Sequence, residues 1–463
     1  MAADRGQWGS RLGFILAATG SAVGLGNIWR FPYITGENGG GVFVVVYLAC
    51  VALVGLPIMM AELFIGRTAQ LSPVGAVRSM SAPRSPWMGL GWLSVVAAFI
   101  ILSFYSVVAG WSMHYVGLSI VGAFKDKTPD EIGAMFDALY ANGGLNVLWH
   151  ILFMVLTIAI VVSGIRKGIE LWSRILMPAL FGLLLVLLIY AMTTDGFTKG
   201  FEYIFGFHAD KFDLTSSTLD ALGQSFFSLS LGMGALVTYG SYLRRDEGVV
   251  SISIIVCSLD TAVALLAALI LFPILFTAGL DPDQSVGLAF ISLPIAFSQM
   301  PGGAVLAPLF FLLLTFAALT SAISLLEVAT AYFIDERRWS RAKATLVTGG
   351  GILILGIPSA LAGGPGIFGD KLKTGTESIW DGGKNWFDVL EYFSNNWMLP
   401  LGGLGIAMFV SWRVGNAARE QGFKTGTKLG AMYWGWVQLL RYVVPIGVLL
   451  VLLNAIGVFS AGE

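Results

Sequence analysis

Charged residues are scarce in this sequence. Lysine, arginine, aspartate and glutamate make up 12% of its 463 residues, which is about half their share in an average soluble protein. The net charge of -1 offers no strongly basic surface, so we expect no nucleic-acid partner. The shortage of charge therefore argues against a soluble globular protein.

Cysteine and histidine are scarcer still. Cys50 and Cys257 both lie in apolar runs, so we expect no disulfide. No metal-ligand spacing relates the three histidines, which are His114, His150 and His208. Residues 24–27 read G-L-G-N, but no strand–helix nucleotide-binding unit follows them. We therefore expect that the protein is not an enzyme.

Long hydrophobic runs, in contrast, are abundant. Hydrophobic residues make up 56% of the chain, and the mean hydropathy is +0.79. An apolar run of about 20 residues is long enough to cross a bilayer as a helix. We predict an all-α polytopic membrane protein with eleven transmembrane helices, at residues 11–35, 41–66, 88–123, 144–164, 168–192, 217–242, 249–278, 304–334, 344–361, 389–413 and 431–459.

The basic residues predict how these spans are oriented. Two of the 27 lie within spans (Arg30 and Arg441), and the set of loops that includes the N-terminus holds 18. The opposite set holds only seven, namely Lys125, Lys127, Lys199, Lys211, Lys371, Lys373 and Lys384. Because cytoplasmic loops are enriched in lysine and arginine, we predict a cytoplasmic N-terminus and, with eleven spans, an external C-terminus.

Residues 19–32 interrupt the first span with T-G-S-A-V-G-L-G-N-I-W-R-F-P. Gly20, Gly24 and Gly26 each disfavour helix by about 1 kcal/mol relative to alanine. The interruption could be a kink packed through small residues. Asn27 and Arg30 favour a binding site instead, because polar groups at membrane depth are rare and usually functional.

A second interruption, F-F-S-L-S-L-G-M-G-A at residues 226–235, lies in the sixth span. The two breaks lie in spans one and six, five spans apart. Because five is an odd number, a repeated unit of five helices would have the opposite orientation in the membrane. Matching interruptions in inverted halves point to a transporter site at the bilayer midplane. We predict one transporter domain over residues 1–463, with two five-helix inverted repeats, broken helices 1 and 6, and an extra last helix. Its parts are residues 1–192, 217–413 and 431–459.

The connection at residues 279–303 is long and contains three prolines around an apolar middle. Long ordered connections of this kind are usually lids or binding elements. We predict a folded lid on the outer side.

Several motifs in this order resemble the neurotransmitter:sodium symporter family. They are S-A-V-G-L-G-N-I-W-R-F-P-Y from Ser21, E-N-G-G-G from Glu37, P-I-M-M-A-E-L-F-I-G-R from Pro57, S-L-G-M-G-A from Ser230 and L-T-S-A from Leu319. The resemblance implies the leucine-transporter-type fold and sodium-driven alternating access. Eleven spans resemble the bacterial amino-acid branch, which implies the bacterial inner membrane.

The resemblance implies two sodium ions as the coupling cofactor. One site would use the Ala22 carbonyl with Asn27, Ser228, Asp260 and the substrate carboxylate. The second would use the Gly20 and Val23 carbonyls with Ala317, Thr320 and Ser321. Thr320 and Ser321 could instead bond to carbonyls of their own helix.

The implied substrate is a neutral hydrophobic L-amino acid, since Gly24 stands where monoamine carriers of the family have aspartate. The resemblance and the break together give eleven substrate-binding residues, Ala22, Leu25, Gly26, Ile101, Tyr105, Phe227, Ser228, Ser230, Met233, Ser324 and Leu325. Tyr105 would bind the carboxylate, although a core tyrosine is the alternative.

Two gates are also implied. The outer gate would be an ion pair between Arg30 and Glu391. The inner gate would be formed by Arg5 and Trp8 in contact with Asp335 and Tyr242. For such loop-edge charges, a solvated face is the ordinary alternative. We assign Glu62 and Glu327 to free N–H groups of the broken helices.

A departure from animal relatives concerns chloride. The chain keeps Tyr47, Gln224 and Ser228 of their chloride site, but has Asp260 in place of an asparagine and Ala264 in place of a serine. A buried carboxylate would supply the negative charge and repel a second anion. We predict chloride-independent transport, with Asp260 returning protonated. Alternatively, Asp260 only replaces asparagine as a sodium ligand.

The rival function is a sodium-dependent amino-acid sensor or channel on the same fold. The expected partners are the small-molecule substrate and membrane lipid. The preferred amino acid and the oligomeric state do not follow from the sequence.

Overall fold

The computed structural model describes residues 6–208, 211–280, 287–377, 379, 382–456 and 458. Helices dominate this part of the chain, and its only β-type pairing is an isolated bridge between Gly40 and Phe207. The helices are α1 (Arg11–Ala22), α2 (Gly26–Glu37), α3 (Gly41–Ala69), α4 (Pro73–Ser79), α5 (Met88–Ile120), α6 (Pro129–Ala141), α7 (Gly143–Val162), α8 (Ile165–Met192), α9 (Phe197–Phe205), α10 (Ser216–Ser228), α11 (Ala235–Gly240), α12 (Val249–Thr277), α13 (Leu288–Gln299), α14 (Gly303–Arg337), α15 (Arg341–Ala360), α16 (Asp370–Thr376), α17 (Trp386–Arg413), α18 (Asn416–Lys424) and α19 (Gly430–Ala455).

Eight of the described helices are long and apolar enough to cross a membrane. They are α3, α5, α7, α8, α12, α14, α15 and α19. Two bent pairs, α1 with α2 and α17 with α18, raise the number to ten if each pair is one span. The protein is therefore a multi-pass, all-helical membrane protein. The predicted sixth span, residues 217–242, consists of the shorter helices α10 and α11.

The spans differ in how deeply they lie inside the protein. In the most apolar 18-residue window, 78% of α5 and 83% of α14 is buried, against 33% of α8 and 28% of α19. The Ser112 and Thr315 hydroxyls join α5 to α14 at 3.1 Å. Helices α5 and α14 therefore form the interior, while α8 and α19 present apolar side chains to lipid.

The first predicted break separates α1 from α2, whose axes differ by 57°. Val23 leaves the helix with an extended backbone, at φ -66° and ψ 108°. The Asn27 side chain then takes the place of a helical carbonyl, because its Oδ1 accepts a hydrogen bond from the Gly24 N–H at 3.1 Å. Asn27 thus stabilises the break.

The second break lies between α10 and α11, where Ser230, Gly232 and Gly234 have positive φ. Glycine adopts this region without strain. Glu62 of α3 accepts a hydrogen bond from the Gly232 N–H at 2.7 Å. The prediction that Glu62 pairs with a free N–H group of a broken helix is confirmed.

Helix α13 lies within the predicted lid at 279–303, of which residues 281–286 lie outside the described part of the chain. Phe290 of α13 is fully buried. Its ring lies 5.9 Å from those of Trp29 and Trp111 and 5.7 Å from that of Phe136, measured between centroids. Aromatic pairs at these distances are attractive. Helix α13 is therefore packed onto α2, α5 and α6 through one aromatic residue.

At the C-terminal end of α17 the chain turns by 113° into α18. Arg419 of α18 is 1% exposed. Its guanidinium donates to the carbonyls of Val410 at 2.9 Å and Ser411 at 2.7 Å. Carbonyls at a helix C-terminus lack partners within the helix, so Arg419 caps α17 and holds α18 against it.

Candidate functional site

A cavity lies between the two helix breaks, with about 390 Å³ of empty space when the part open to solvent is included. Its lining residues are Ala22, Gly24, Leu25, Gly26, Asn27, Ile101, Tyr105, Phe227, Ser230, Met233, Ser321 and Leu325. All predicted substrate-binding residues except Ser228 and Ser324 are among them. The structure adds Gly24, Asn27 and Ser321 to that set.

The cavity wall is tight at position 24. A Cβ on Gly24 would lie 3.0 Å from the Ser321 hydroxyl and 3.3 Å from the Tyr105 hydroxyl. The Tyr105 hydroxyl also accepts a long hydrogen bond, 3.5 Å, from the Leu25 N–H. It is also hydrogen-bonded to the Ser321 side chain. An aspartate at position 24 would have to displace two hydroxyl groups.

A buried carboxylate stands behind the cavity. Asp260 is fully buried, and its two oxygens accept hydrogen bonds from Asn27 Nδ2 at 2.8 Å and Ser228 Oγ at 2.7 Å. No described lysine, arginine or histidine forms an ion pair with Asp260. A buried carboxylate without a cation is costly. The predicted first sodium site thus brings together its three side chains, while Ala22 ends α1 beside them.

Two further residues that this chain shares with the chloride site of animal relatives lie near this cluster. The Tyr47 hydroxyl donates to Ser228 Oγ at 3.3 Å, and Gln224 Nε2 donates to the Gly26 carbonyl at 3.3 Å. Ser228 in turn donates to Asp260. The Ser228 side chain therefore belongs to this buried cluster, which explains why it does not line the cavity.

A second group of oxygens surrounds Ser321 of α14. Its hydroxyl lies 3.3 Å from the Gly20 carbonyl and 3.2 Å from the carbonyls of Ser21 and Val23. A serine hydroxyl has one proton, so it cannot satisfy three carbonyls at once. Oxygen atoms gathered in this way form a cradle suited to a hard cation.

Thr320 behaves differently from Ser321. Its hydroxyl donates to the carbonyls of Phe316 at 3.1 Å and Ala317 at 3.0 Å, both in its own helix. The alternative of bonding within the helix is therefore seen for Thr320 but not for Ser321. The side chain still approaches the break, since a Cβ on Gly20 would lie 2.9 Å from Thr320 Cβ.

On the outer side, the guanidinium of Arg30 lies 5.0 Å from the ring centroid of Phe227. The predicted ion pair between Arg30 and Glu391 is not formed, because no such pair lies within 4 Å among the described residues. Glu391 and Asp220 both act on Arg30 electrostatically. The guanidinium therefore lies over the ring, and the two carboxylates attract it from beyond ion-pair distance.

On the inner side, Trp8 is 7% exposed. Its indole N–H donates to the Tyr239 carbonyl at 3.0 Å, and its backbone N–H donates to the Tyr242 carbonyl at 3.4 Å. Glu170 of α8 accepts hydrogen bonds from the Gly9 N–H at 2.6 Å and the Ser10 hydroxyl at 2.9 Å. The segment before α1 is thereby fastened to α8 and to the C-terminal end of α11.

Three predicted inner-gate residues remain, namely Arg5, Asp335 and Tyr242. Arg5 lies outside the described residues. Asp335 accepts a hydrogen bond from the Ser72 N–H at 2.6 Å, at the start of α4. Tyr242 donates to Glu327 at 2.5 Å.

The assignment of Glu327 to backbone N–H groups was wrong. Its carboxylate pairs with Arg341 at 2.5 Å in addition to accepting from Tyr242. The physical reason is charge, because a fully buried carboxylate is stabilised more by a guanidinium than by neutral donors. Arg341, Glu170 and Ser21 are contact residues that the sequence did not single out.

Within the described ranges, no group of three or more histidine, cysteine, aspartate or glutamate residues could hold a metal ion. The two oxygen groups consist largely of neutral carbonyls and hydroxyls. Such ligands suit a monovalent hard cation better than a divalent transition metal.

Comparisons with known proteins agree with this geometry. The family model described as the sodium:neurotransmitter symporter family matches residues 5–131 and 130–462. An uncharacterized sodium-dependent transporter of Bacillus subtilis, YhdH, is 35% identical over 456 residues, covering 98% of both chains. An uncharacterized sodium-dependent transporter of Haemophilus influenzae is 33% identical over 464 residues, covering 97% of this chain and 98% of that one.

A solved structure is also similar over nearly the whole chain. It is the crystal structure of MhsT in complex with L-phenylalanine, with 43% sequence identity and a TM-score of 0.87, covering 97% of this chain and 100% of that one. The family and the fold are those of a secondary transporter and not of an enzyme. With its two helix breaks, the cavity between them and the match along its length, the chain belongs to the sodium:neurotransmitter symporter family.

Proposed function

We propose that the protein carries neutral hydrophobic L-amino acids into the cell together with sodium, by alternating access. The observation that carries the proposal is the cavity between the two helix breaks, with a group of oxygen atoms on either side. Family membership supports sodium coupling. The similar MhsT structure, determined with L-phenylalanine, supports an amino-acid substrate.

The lining of the cavity supports a substrate with an apolar side chain. Ile101, Met233 and Leu325 supply an apolar wall, and no charged residue is among the lining residues. A charged substrate side chain would lose its hydration there without gaining a partner. Met233 has a flexible thioether that adapts to several shapes. The substrate carboxylate would meet Tyr105 and the first sodium ion.

Two sodium ions are proposed. The first would bind the Ala22 carbonyl with Asn27, Ser228 and Asp260, and the second the cradle of Gly20, Val23, Ala317, Thr320 and Ser321. Each charge moved inward across 100 mV contributes about 2.3 kcal/mol, and a tenfold sodium gradient about 1.4 kcal/mol. Two ions supply about 7 kcal/mol, which would sustain roughly 10⁵-fold accumulation at perfect coupling.

Transport is proposed to be independent of chloride. Asp260 is a fixed negative charge beside the first sodium site, hydrogen-bonded to Asn27 and Ser228. A second anion at this place would be repelled. When sodium and substrate leave, protonation would neutralise the buried carboxylate, and the cycle would then carry a proton outward.

The membrane arrangement is proposed to comprise eleven spans, with α10 and α11 forming the sixth. The two breaks at matching positions support inverted repeats at residues 1–192 and 217–413, followed by the last helix at residues 431–459. The distribution of basic residues supports a cytoplasmic N-terminus and an external C-terminus, in the bacterial cell membrane.

Uptake of labelled L-phenylalanine into proteoliposomes with an inward sodium gradient tests the function. We expect accumulation with sodium and none when lithium or choline replaces it. Uptake that persists without sodium would overturn the proposal. Counterflow exchange separates the alternatives, because a sensor exchanges no substrate and a channel does not couple substrate to sodium.

A further inference from the structure

Two arginines meet at one backbone carbonyl where α17 ends. Ser411 lies in the last turn of α17, and its carbonyl accepts a hydrogen bond from Arg419 Nη1 of α18 at 2.7 Å. The same carbonyl accepts from Arg441 of α19, through Nε at 3.3 Å and Nη2 at 3.2 Å. We call Ser411, Arg419 and Arg441 the arginine corner. Two guanidinium groups therefore lie within hydrogen-bond reach of a single oxygen atom.

The positive charge of the arginine corner is not matched by a carboxylate. Neither Arg419 nor Arg441 forms an ion pair within 4 Å in the part of the chain that the structure describes. The carboxylate of α18, Glu420, pairs instead with Lys424 at 2.6 Å. The free carbonyls at a helix C-terminus carry about half a negative charge, which offsets two guanidinium groups only in part. The corner can therefore accommodate a further anion.

The two arginines differ in accessibility. Arg419 is buried, and its Nε donates to the Tyr433 hydroxyl at 3.0 Å. Arg441 is half-buried, and its guanidinium lies 5.3 Å from the ring centroid of Trp412. Its Nε and Nη2 bind Ser411, whereas no described residue bonds to its Nη1. Because the guanidinium presents several donors in a planar fork that matches phosphate, Arg441 can bind Ser411 and an external anion together.

The surface around Arg441 faces lipid. Helix α19 is the least buried of the eight long described spans. The side chains of Trp412, Trp434 and Tyr442 are all more than half exposed, and exposed tryptophan and tyrosine are enriched at the depth of lipid headgroups. Gln438, three residues before Arg441 in α19, is also exposed. Residues three apart are neighbours on a helix, so an amide and a guanidinium lie together on a helix that otherwise contacts hydrocarbon.

The corner lies at a membrane surface, because a chain that turns by 113° after a span no longer continues across the bilayer. The connection from α17 to α19 also contains the basic residues Arg413, Lys424 and Lys428. Basic groups at the cytoplasmic end of membrane helices attract anionic lipid headgroups. A phospholipid would place its phosphate at this depth and its acyl chains along α19. A soluble phosphate ion would supply the charge without these apolar contacts.

We propose that the arginine corner binds the phosphate group of an anionic phospholipid, with Arg441 and Gln438 as direct donors. Arg419 adds positive charge from behind and stays bound to the protein. The lipid would bridge the end of α17 to α19. This site is separate from the cavity between the helix breaks, and the inference does not depend on which solute the protein carries.

The test is a titration of the purified full-length protein in neutral detergent with short-chain phosphatidylglycerol, phosphatidylcholine or inorganic phosphate, followed by thermal unfolding. We expect phosphatidylglycerol alone to raise the unfolding temperature, in a saturable way. Arg441→Gln should raise the half-saturating concentration about tenfold or more, as the loss of a hydrogen bond to a charged group predicts. Gln438→Leu should raise it about threefold or more, as the loss of a weaker hydrogen bond predicts.

The control is Arg174→Gln, which removes an exposed arginine from the lipid-facing helix α8 and should change the half-saturating concentration less than about twofold. Equal stabilisation by phosphatidylcholine, or an Arg441→Gln variant that responds like the parent, would overturn the proposal. Equal stabilisation by inorganic phosphate would overturn the assignment to a lipid. If Arg441→Gln does not fold, Gln438→Leu decides, because its side chain lies outside the protein interior. Each of these failures would leave the proposed transport function standing.

Discussion

The ring of Phe227 lies so close to Gly26 that a Cβ on residue 26 would be 2.3 Å from a ring carbon. Only glycine fits there without moving the ring. Phe227 also lies under the guanidinium of Arg30. The contact between Gly26 and Phe227 therefore joins the first helix break to the aromatic ring that covers the cavity. The same ring carries the guanidinium of Arg30.

Replacing Gly26 with alanine should displace this ring. We expect Gly26→Ala to lower L-phenylalanine affinity at least tenfold, because the Phe227 ring must move out of the cavity wall. The thermal unfolding temperature should change little, since alanine itself favours helix. Gly182→Ala is the control, as a Cβ there meets nothing within 4 Å. Unchanged affinity in Gly26→Ala would show that the ring relocates without consequence.

Removing the outer cation should affect occlusion more than ion binding. We expect Arg30→Ala to slow uptake at least tenfold while equilibrium sodium binding stays within threefold, because the guanidinium covers Phe227 and touches no sodium oxygen. Glu391→Gln should have a smaller effect, since no direct ion pair joins it to Arg30. Wild-type uptake by Arg30→Ala, or equal loss in both variants, would contradict this account.

Chloride should be dispensable. We expect the same uptake when gluconate replaces chloride, together with an acidic shift of the external medium as a proton leaves. Asp260→Asn should weaken sodium binding at least tenfold in gluconate, because it removes the buried negative charge. A strict chloride requirement would refute the first expectation. A constant pH during vigorous uptake would refute proton export.

The Glu327–Arg341 pair should matter for stability. We expect Glu327→Gln to lower the free energy of unfolding by about 3–5 kcal/mol, because it strands a largely buried guanidinium. The matched control is Glu336→Gln, which breaks the pair with Arg78, whose side chain is 50% exposed, and should cost less than about 1 kcal/mol. Thermal unfolding in detergent measures both. Equal shifts would mean that burial does not decide the strength of these pairs.

The helix breaks were predictable because their causes are local. Gly24 and Asn27 lie three residues apart, and the hydrogen bond between them forms at the break itself. Glycines in the second break similarly mark the backbone positions with positive φ. The cavity between the breaks then followed from the resemblance to a family.

Contacts between distant residues were not predictable in the same way. Ser21 meets Ser324 across 303 positions of sequence, and Glu170 meets Ser10 across 160. Nothing in the residue types says which serine reaches which carbonyl. The Arg30–Glu391 gate stays a prediction, since a guanidinium can be held by an aromatic ring, here that of Phe227, as well as by a carboxylate.

Arg419 shows the same limit at the inner surface. Arg419 lies in the loop between the predicted spans at 389–413 and 431–459, where a basic residue is expected at the membrane surface, yet it is buried and bound to the carbonyls that end α17. Positive charge near a membrane surface predicts sidedness, but it does not distinguish a lipid-facing cation from one that caps a helix.

The segment before α1 is a stretch of irregular chain and not a helix. Residues 6–10 precede α1 and have no helical ladder of their own. They are held by the bonds of Trp8 to Tyr239 and Tyr242, the bonds to Glu170 and the bond from Arg166 to the Gln7 carbonyl. When these contacts break, the freed segment regains conformational entropy. Release of the segment can therefore begin as local melting of a few residues, without the movement of a whole helix.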